Sequence, residues 1–412
     1  MATDNNNKVL NVPNLRFPEF TEEWRKYKVS DVLDFYSTNS LSWEQLDYNN
    51  EDLYNLHYGL IHVGLPILVD IGQNKLPGIK TECKPKNFEL CKEGDVAFAD
   101  ASEDTNDVAK AIEFVNLNNH KTVCGLHTIH GRDNKHLTVL GYKGYAFASP
   151  LFHNQIRRIA QGTKIYSISS KNFAECYIGI PSKDEQSKIA RLLALIDSRI
   201  ATQNKIIEDL KKLKVAITQK ISKDNSNRKV MLSELLTERY EKNKDLYPVH
   251  SVSVSEGIIN QVDFLGRSFA ANDISNYNVV CCGDIVYTKS PTGDFPYGIV
   301  KMSSIDTKVS VSPLYGVYHP SSEYVGIYLN NYFSNSLNAK NYLHKLIQKG
   351  AKNTINITNK RFLENEISLP NETLLKEYSL FISAFDLKIK SEQKALLLLQ
   401  KQKEYLLQQM FI

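Results

Sequence analysis

Few stretches of this chain carry residue types spaced for chemistry. The segment "HTIH" sets His127 and His130 three positions apart, close enough for two imidazoles to share one ion. No third ligand is evident from the sequence, so structural histidines are expected here and no metal site. The segment "PSKDEQSK", starting at Pro181, holds the acid–acid–Lys order of some nuclease sites. Those carboxylates stand at the start of a helical pattern, where capping and the helix dipole account for them. A GxxxxGK[ST] phosphate loop, a GxSxG nucleophile elbow and an Asn-Pro-Pro-aromatic methyltransferase motif do not occur in the sequence. No catalytic residue is expected. The six cysteines (83, 91, 124, 176, 281 and 282) form no CxxC pair or regular framework, which fits reduced thiols.

Charge says more than motifs do. The formal net charge is only +4, but it is segregated along the chain. Residues 1–120 carry 11 Lys/Arg against 20 Asp/Glu, whereas residues 121–171 carry 8 against the single Asp133. From Asn330 to Arg361 there is no acid at all, with cations at Lys340, Lys345, Lys349, Lys352, Lys360 and Arg361. Segregation of this kind creates local positive fields on a nearly neutral protein. Composition is ordinary for a soluble globular chain, 42% hydrophobic and 23% charged. No apolar run approaches the roughly 18 residues of a membrane span. The N-terminal "MATDNNNKVLNVPN" is polar and has no signal-peptide pattern. A cytoplasmic protein without membrane contact is expected.

The elements that must position these cations come in duplicate. Lys171, Phe173, Ile178, Pro181, Asp197 and Lys214 recur 189 positions later as Lys360, Phe362, Ile367, Pro370, Asp386 and Lys403. The same offset aligns "GDVAFADAS" from Gly94 with "GDIVYTKS" from Gly283, and "YSISSKNF" with "INITNKRF". Three blocks in one register indicate duplication. In each copy, short alternating runs read as strands: "DVAFAD", "TVCGLHTI" and "KIYSIS" in the first, "DIVYT", "GIVKM" and "PLYGVY" in the second. Helical patterns interrupt them around Leu151–Ala160 and Tyr324–Ile347.

A long helix closes each copy. Ile189, Leu193, Ile196, Ile200, Ile207, Leu210, Ile217 and Ile221 are spaced by fours and threes, with Gln203 and Lys214 filling the gaps. Tyr378, Ile382, Phe385, Ile389, Leu396, Leu399, Leu406 and Met410 repeat the rule, with Glu392 and Lys403 in the gaps. Such a seam predicts a coiled coil. Ser182, with Glu185 at the capping-box position, and Asn371 are expected to cap the two helices. The order globule, helix, globule, helix predicts antiparallel pairing, a covalent imitation of a symmetric dimer. A register centred near residue 208 places Lys214 opposite Glu392 and Gln203 near Lys403. The predicted class is α+β, with two pseudo-symmetric α/β domains separated by two long helices in an antiparallel coiled coil. The expected boundaries are 1–181, 182–222, 223–370 and 371–412.

These residues resemble the specificity (S) subunit of type I restriction-modification enzymes. The likeness runs from "VPNLRFPEFTEEW" through the two "GD" strands to "EQSKIARLLALID", and the stretch Pro181–Asp197 is its most specific part. The second copy, "NETLLKEYSLFISAFD", lacks the Glu-Gln pair. The resemblance implies two target recognition domains, each reading half of a split double-stranded DNA sequence. It implies helices that dock two methylation (M) subunits, with restriction (R) subunits joining. The chain itself would be non-catalytic and hold no cofactor, because S-adenosylmethionine, ATP and Mg belong to the partners. Expected DNA contacts in the first copy are Arg132, Lys135, Arg157, Arg158 and Lys164, with Lys75 and Lys80 in "NKLPGIK". In the second copy they are Lys289, Lys345, Lys349, Lys352 and Asn353. The alternative from the residues alone is a bivalent coiled-coil adaptor that binds proteins.

Overall fold

The computed structural model describes residues 10–266, 270–349 and 355–412. Two compact units are present. The first comprises the chain up to Asn204 together with Lys394–Ile412, and the second comprises Lys205–Gln393.

The first unit opens with β1 (Arg25–Lys28), α1 (Val29–Val32), β2 (Asp34–Tyr36), β3 (Leu46–Asp47), β4 (Tyr54–Leu56) and α2 (Tyr58–His62). Next come β5 (Leu68–Asp70), β6 (Gly78–Ile79), β7 (Val96–Ala99), β8 (Ala101–Ser102), β9 (Ala111–Asn116), β10 (Thr122–Cys124) and β11 (Thr128–Arg132). Then follow α3 (Tyr142–Phe147), α4 (Pro150–Ile159), β12 (Tyr166–Ser167), α5 (Ser170–Ala174), β13 (Tyr177–Ile180) and the long α6 (Lys183–Ser222). A five-stranded sheet runs β2-β11-β7-β9-β5 and a four-stranded one runs β10-β4-β6-β3. The run "TVCGLHTI" is therefore two strands in two sheets. The chain turns between them through His127, whose φ is +54°.

The second unit runs β14 (Arg228–Met231), α7 (Leu232–Leu235), β15 (Leu236–Glu238), β16 (His250–Ser253), β17 (Gly257–Asn260) and α8 (Gln261–Leu265). It continues with β18 (Asn278–Val280), β19 (Ile285–Thr288), β20 (Ile299–Met302), β21 (Val309–Val311) and β22 (Gly316–Pro320). It ends with α9 (Glu323–Ser334), α10 (Ser336–His344), β23 (Gln348–Lys349), β24 (Ile355–Asn356), α11 (Asn359–Phe362), β25 (Glu366–Leu369) and α12 (Glu372–Gln409). The helical patterns over Tyr324–Ile347 become two helices separated at Asn335, whose side chain accepts the Asn338 N–H and starts α10. The duplication survives in three dimensions. The order β2-β11-β7-β9 has its counterpart in β15-β22-β19-β20, and the β1–β13 ribbon has its counterpart in β14–β25.

Each unit buries part of both long helices in its own core. In the first, Ile189, Leu193 and Ile196 of α6 pack with Leu406, Leu407, Met410 and Phe411 near the C-terminus. In the second, Tyr378 and Ile382 of α12 join Tyr287, Tyr318, Tyr328 and Phe362. Burial of each such side chain contributes about 1.5–3 kcal/mol. All ten predicted seam positions on α6, and all ten on α12, are buried or half-buried.

The helices run antiparallel in both units, but the charged register differs from the expected one. Lys214 Nζ lies 2.5 Å from Asp386 Oδ1, and Lys403 Nζ lies 2.6 Å from Asp197 Oδ1. Asp386 stands six residues, about 9 Å of helix rise, before Glu392, and Glu392 pairs with Lys388 on its own helix. The repeat interconverts the two pairs, since Asp197 corresponds to Asp386 and Lys214 to Lys403.

The helix starts also hold a correction. Ser182 does cap α6, accepting from the Glu185 N–H, and Asn371 accepts from Leu374 N–H. Glu185 itself takes no part in a capping box. Its buried carboxylate receives Nε and Nη2 of Arg16 at 2.7 and 2.8 Å. Gln186 binds the Leu137 and Pro181 carbonyls and the Val139 N–H. The Glu-Gln pair thus anchors two distant segments of the first unit, and the second copy has Leu374 and Leu375 in its place.

Candidate nucleic-acid interface

The "GD" strands hold a buried anion at the same point of each unit. Asp95 receives Arg132 Nε and Nη2, both at 2.8 Å, and sits 2.7 Å from His130 Nε2. Asp284 receives Arg239 Nε at 2.7 Å and sits 3.4 Å from His319 Nδ1. Strand register explains the exchange of partners. Val96 pairs with Gly131, and Ile285 with Tyr318, so His319 stands where Arg132 does and Val317 where His130 does. The second unit recovers its guanidinium from Arg239, next to β15. Asp95 and, less strongly, Glu89 hold the Arg132 cation above the ordinary arginine range.

This removes Arg132 from the candidate DNA contacts. It is buried, and Nη1 and Nη2 also donate to Glu89 and the Leu90 carbonyl. Lys135 is exposed and Lys80 half-buried, and both are tethered. Lys135 donates to the Asp31 carbonyl at 2.8 Å and Lys80 to the Glu44 carbonyl at 2.6 Å. Lys75 is exposed, with Glu51 at 3.5 Å.

Arg157, Arg158 and Lys164 are all exposed. The two arginines occupy the last turn of α4. The chain then turns back so that Gln161 bridges Ser167, with Lys164 between them. Gly162 makes this turn possible, because at its φ of +141° a Cβ would meet the Ile165 carbonyl at 1.9 Å. Arg157 Nη1 donates to Asn106 Oδ1 at 2.9 Å.

The second unit repeats this device. α10 ends beside exposed Lys345, and β23, which carries Lys349, pairs with β24. Lys352 and Asn353 fall outside the described residues. Lys289 takes the place of Asp100 in the repeat, reversing the charge there. Partial burial pulls its ammonium below the usual lysine range.

Sequence reading missed an aromatic and imidazole surface in the first unit. Trp43 lies 4.3 Å from the His57 ring, His57 lies 4.7 Å from Tyr58, and Tyr58 lies 5.3 Å from His127. Trp43 and His127 are both about half exposed, and His127 Nδ1 lies 3.1 Å from Asp100. Residues 100–102 join this surface to the basic hairpin. The Ala101 carbonyl accepts from His62 Nε2, and Ser102 pairs with Tyr166. Lys80 arrives beside it through the turn at Trp43–Gln45. The one available signal was the crowding of His57, Tyr58 and His62 into six positions of otherwise featureless sequence.

Such a surface sets cations of the kind that can meet phosphates beside rings and carboxylates of the kind that can meet base edges, the two contact types of DNA readout. Among the described residues, no helix is long and apolar enough to cross a membrane.

Residues 21–212 match a protein-family model described as the type I restriction modification DNA specificity domain. The fold is similar to the crystal structure of a type I restriction-modification S subunit from M. genitalium. The TM-score is 0.56 at 15% identity, covering 97% of this chain and 99% of that one. A structure described by the complex assembly and conformational transition of the type I R-M system matches with a TM-score of 0.54 at 12% identity. It covers 93% of this chain and 96% of that one. Comparison with curated proteins gave no match.

Proposed function

We infer that this chain is a type I restriction-modification specificity subunit, as the family match over residues 21–212 supports, and that each of its two units reads one half of a split DNA target. The observation that carries this reading is the duplicated basic hairpin. Arg157, Arg158 and Lys164 in the first unit have Lys345 and Lys349 at the corresponding place in the second. Cations positioned on phosphates fix the register of a protein on the duplex, and neighbouring side chains then read bases. In the first unit, Trp43, His127 and Asp100 are the candidate base readers. In the second, Lys289 takes Asp100's place, so the two halves of the target differ.

The long helices α6 and α12 set the gap between the half-sites and dock methylation subunits. The exposed side chains of α12 support docking, with Leu380, Phe381, Leu387 and Leu398 all at or above 48% exposure. S-adenosylmethionine, ATP and Mg belong to those partners and to the restriction subunits, and this chain contributes no catalytic residue.

The test is selection from a random duplex library, with and without a co-expressed adenine methyltransferase subunit. A split motif of two constant halves around a fixed gap is expected. A single continuous motif, or none with the methyltransferase present, would overturn the reading.

A further inference from the structure

We propose that Cys91, Cys124 and His130 form a buried zinc-binding site in the first unit. The two sulfurs and one imidazole nitrogen all lie within 4.8 Å of one another, and all three residues are buried. The Sγ–Sγ distance is 3.6 Å, close to the ~3.7 Å that two thiolates adopt on one tetrahedral ion with bonds of about 2.3 Å.

Two further observations point to a ligand. His130 Nδ1 is buried and has no hydrogen-bond partner among the described residues, while Nε2 sits 2.7 Å from Asp95. A metal-binding histidine is commonly held this way, with one nitrogen given to a carboxylate and the other aimed at the ion. The second unit supplies the contrast. The repeat places Val280 at Cys91, and strand register places Val317 at His130. Both belong to a cluster of five buried valines. The fold therefore does not require sulfur and nitrogen at these points.

Charge also balances on loading. Binding releases the two thiol protons, and two thiolates neutralise a divalent ion. Asp95 is already matched by Arg132. A cavity of about 290 Å³, bounded by Asn39, Phe88, Glu89 and Val123, reaches Cys124 and offers an entry path.

The test measures zinc in the full chain, purified under reducing, zinc-replete conditions, by elemental mass spectrometry. About one equivalent is expected, falling below about a tenth in Cys91→Val/His130→Val, which copies the second unit. Cys282→Ser, which changes an exposed cysteine elsewhere, should keep the full equivalent. Cobalt substitution of the wild type should give a near-ultraviolet thiolate-to-metal band that the double variant lacks. Wild-type protein that neither carries zinc nor takes it up when reduced would overturn the proposal, whatever the variants do. Zinc retained in the double variant would overturn it too. So would a Cys91–Cys124 disulfide found by peptide mapping of the unreduced protein.

Discussion

A carboxylate without solvent must have its charge answered by the fold, and Asp95 is answered by Arg132, His130 and the Lys92 N–H. Burial pushes its carboxyl up, but these hydrogen bonds outweigh burial and leave it below the usual range. Asp95→Asn is expected to cost about 3–5 kcal/mol in urea unfolding, because it strands a buried guanidinium. Asp284→Asn should cost less, since Arg239 is 24% exposed and water can reach it. Equal costs would mean that burial of the guanidinium is not the source.

His57 gives a test by pH. Its Nδ1 accepts the Gly59 N–H at 3.2 Å, which only the neutral ring can do. Burial first, and His127 second, hold its pKa below 6.5. A depressed histidine contributes stability that is complete above its unfolded value and is lost as pH falls toward its folded value. Trp43 fluorescence should therefore titrate below about pH 6.5, and His57→Gln should abolish the transition. A midpoint above that value would contradict the packing described. Local patterns could not show any of these roles. Arg132 reads as a free cation in a basic run until Asp95, 37 positions earlier, is found against it. Cys91 and Cys124 meet only because the segment before β7 runs beside the distant β10, where the Cys91 N–H donates to the Thr122 carbonyl.

At the scale of elements, the helices were the most legible part of the chain, because a seam needs only local spacing. The register was not, because it depends on which flanking charge a seam lysine reaches. Lys214 and Lys403 were visible as seam defects, yet both bend to an aspartate just outside the seam. Asp197 is also held by Tyr145, whose hydroxyl donates to it at 2.8 Å. These pairs are partly solvated, with Lys403 at 20% and Asp197 at 24% exposure, so a modest energy is expected. A double-mutant cycle on Lys403→Ala and Asp197→Ala should give a coupling of about 0.5–1 kcal/mol. Coupling within error of zero would show that the pair does not fix register. Leu193→Ala, at a fully buried seam position of the first unit, should cost about 2–5 kcal/mol.

For the whole molecule, the offset of 189 residues revealed the duplication, but it could not reveal which features the two copies share. The scaffold is common to both: the buried aspartate, the strand order and the hairpin after the paired short helices. The surroundings have diverged, with Asp100 against Lys289 and the Cys/His cluster against valines. Divergent surfaces on a common scaffold suit two readers of two different half-sites. The two units have separate cores, so damage to one basic hairpin should leave the other reader intact. Arg157→Glu/Arg158→Glu is expected to weaken binding and to reduce the slope of log affinity against log salt by about two, near 0.9 for each phosphate no longer neutralised. In library selection this variant should blur one half-motif and leave the other sharp, and Lys345→Glu should do the reverse. If both variants blur the same half, or blur both halves equally, the hairpins do not serve separate readers. If neither changes the salt slope, these cations do not meet phosphate.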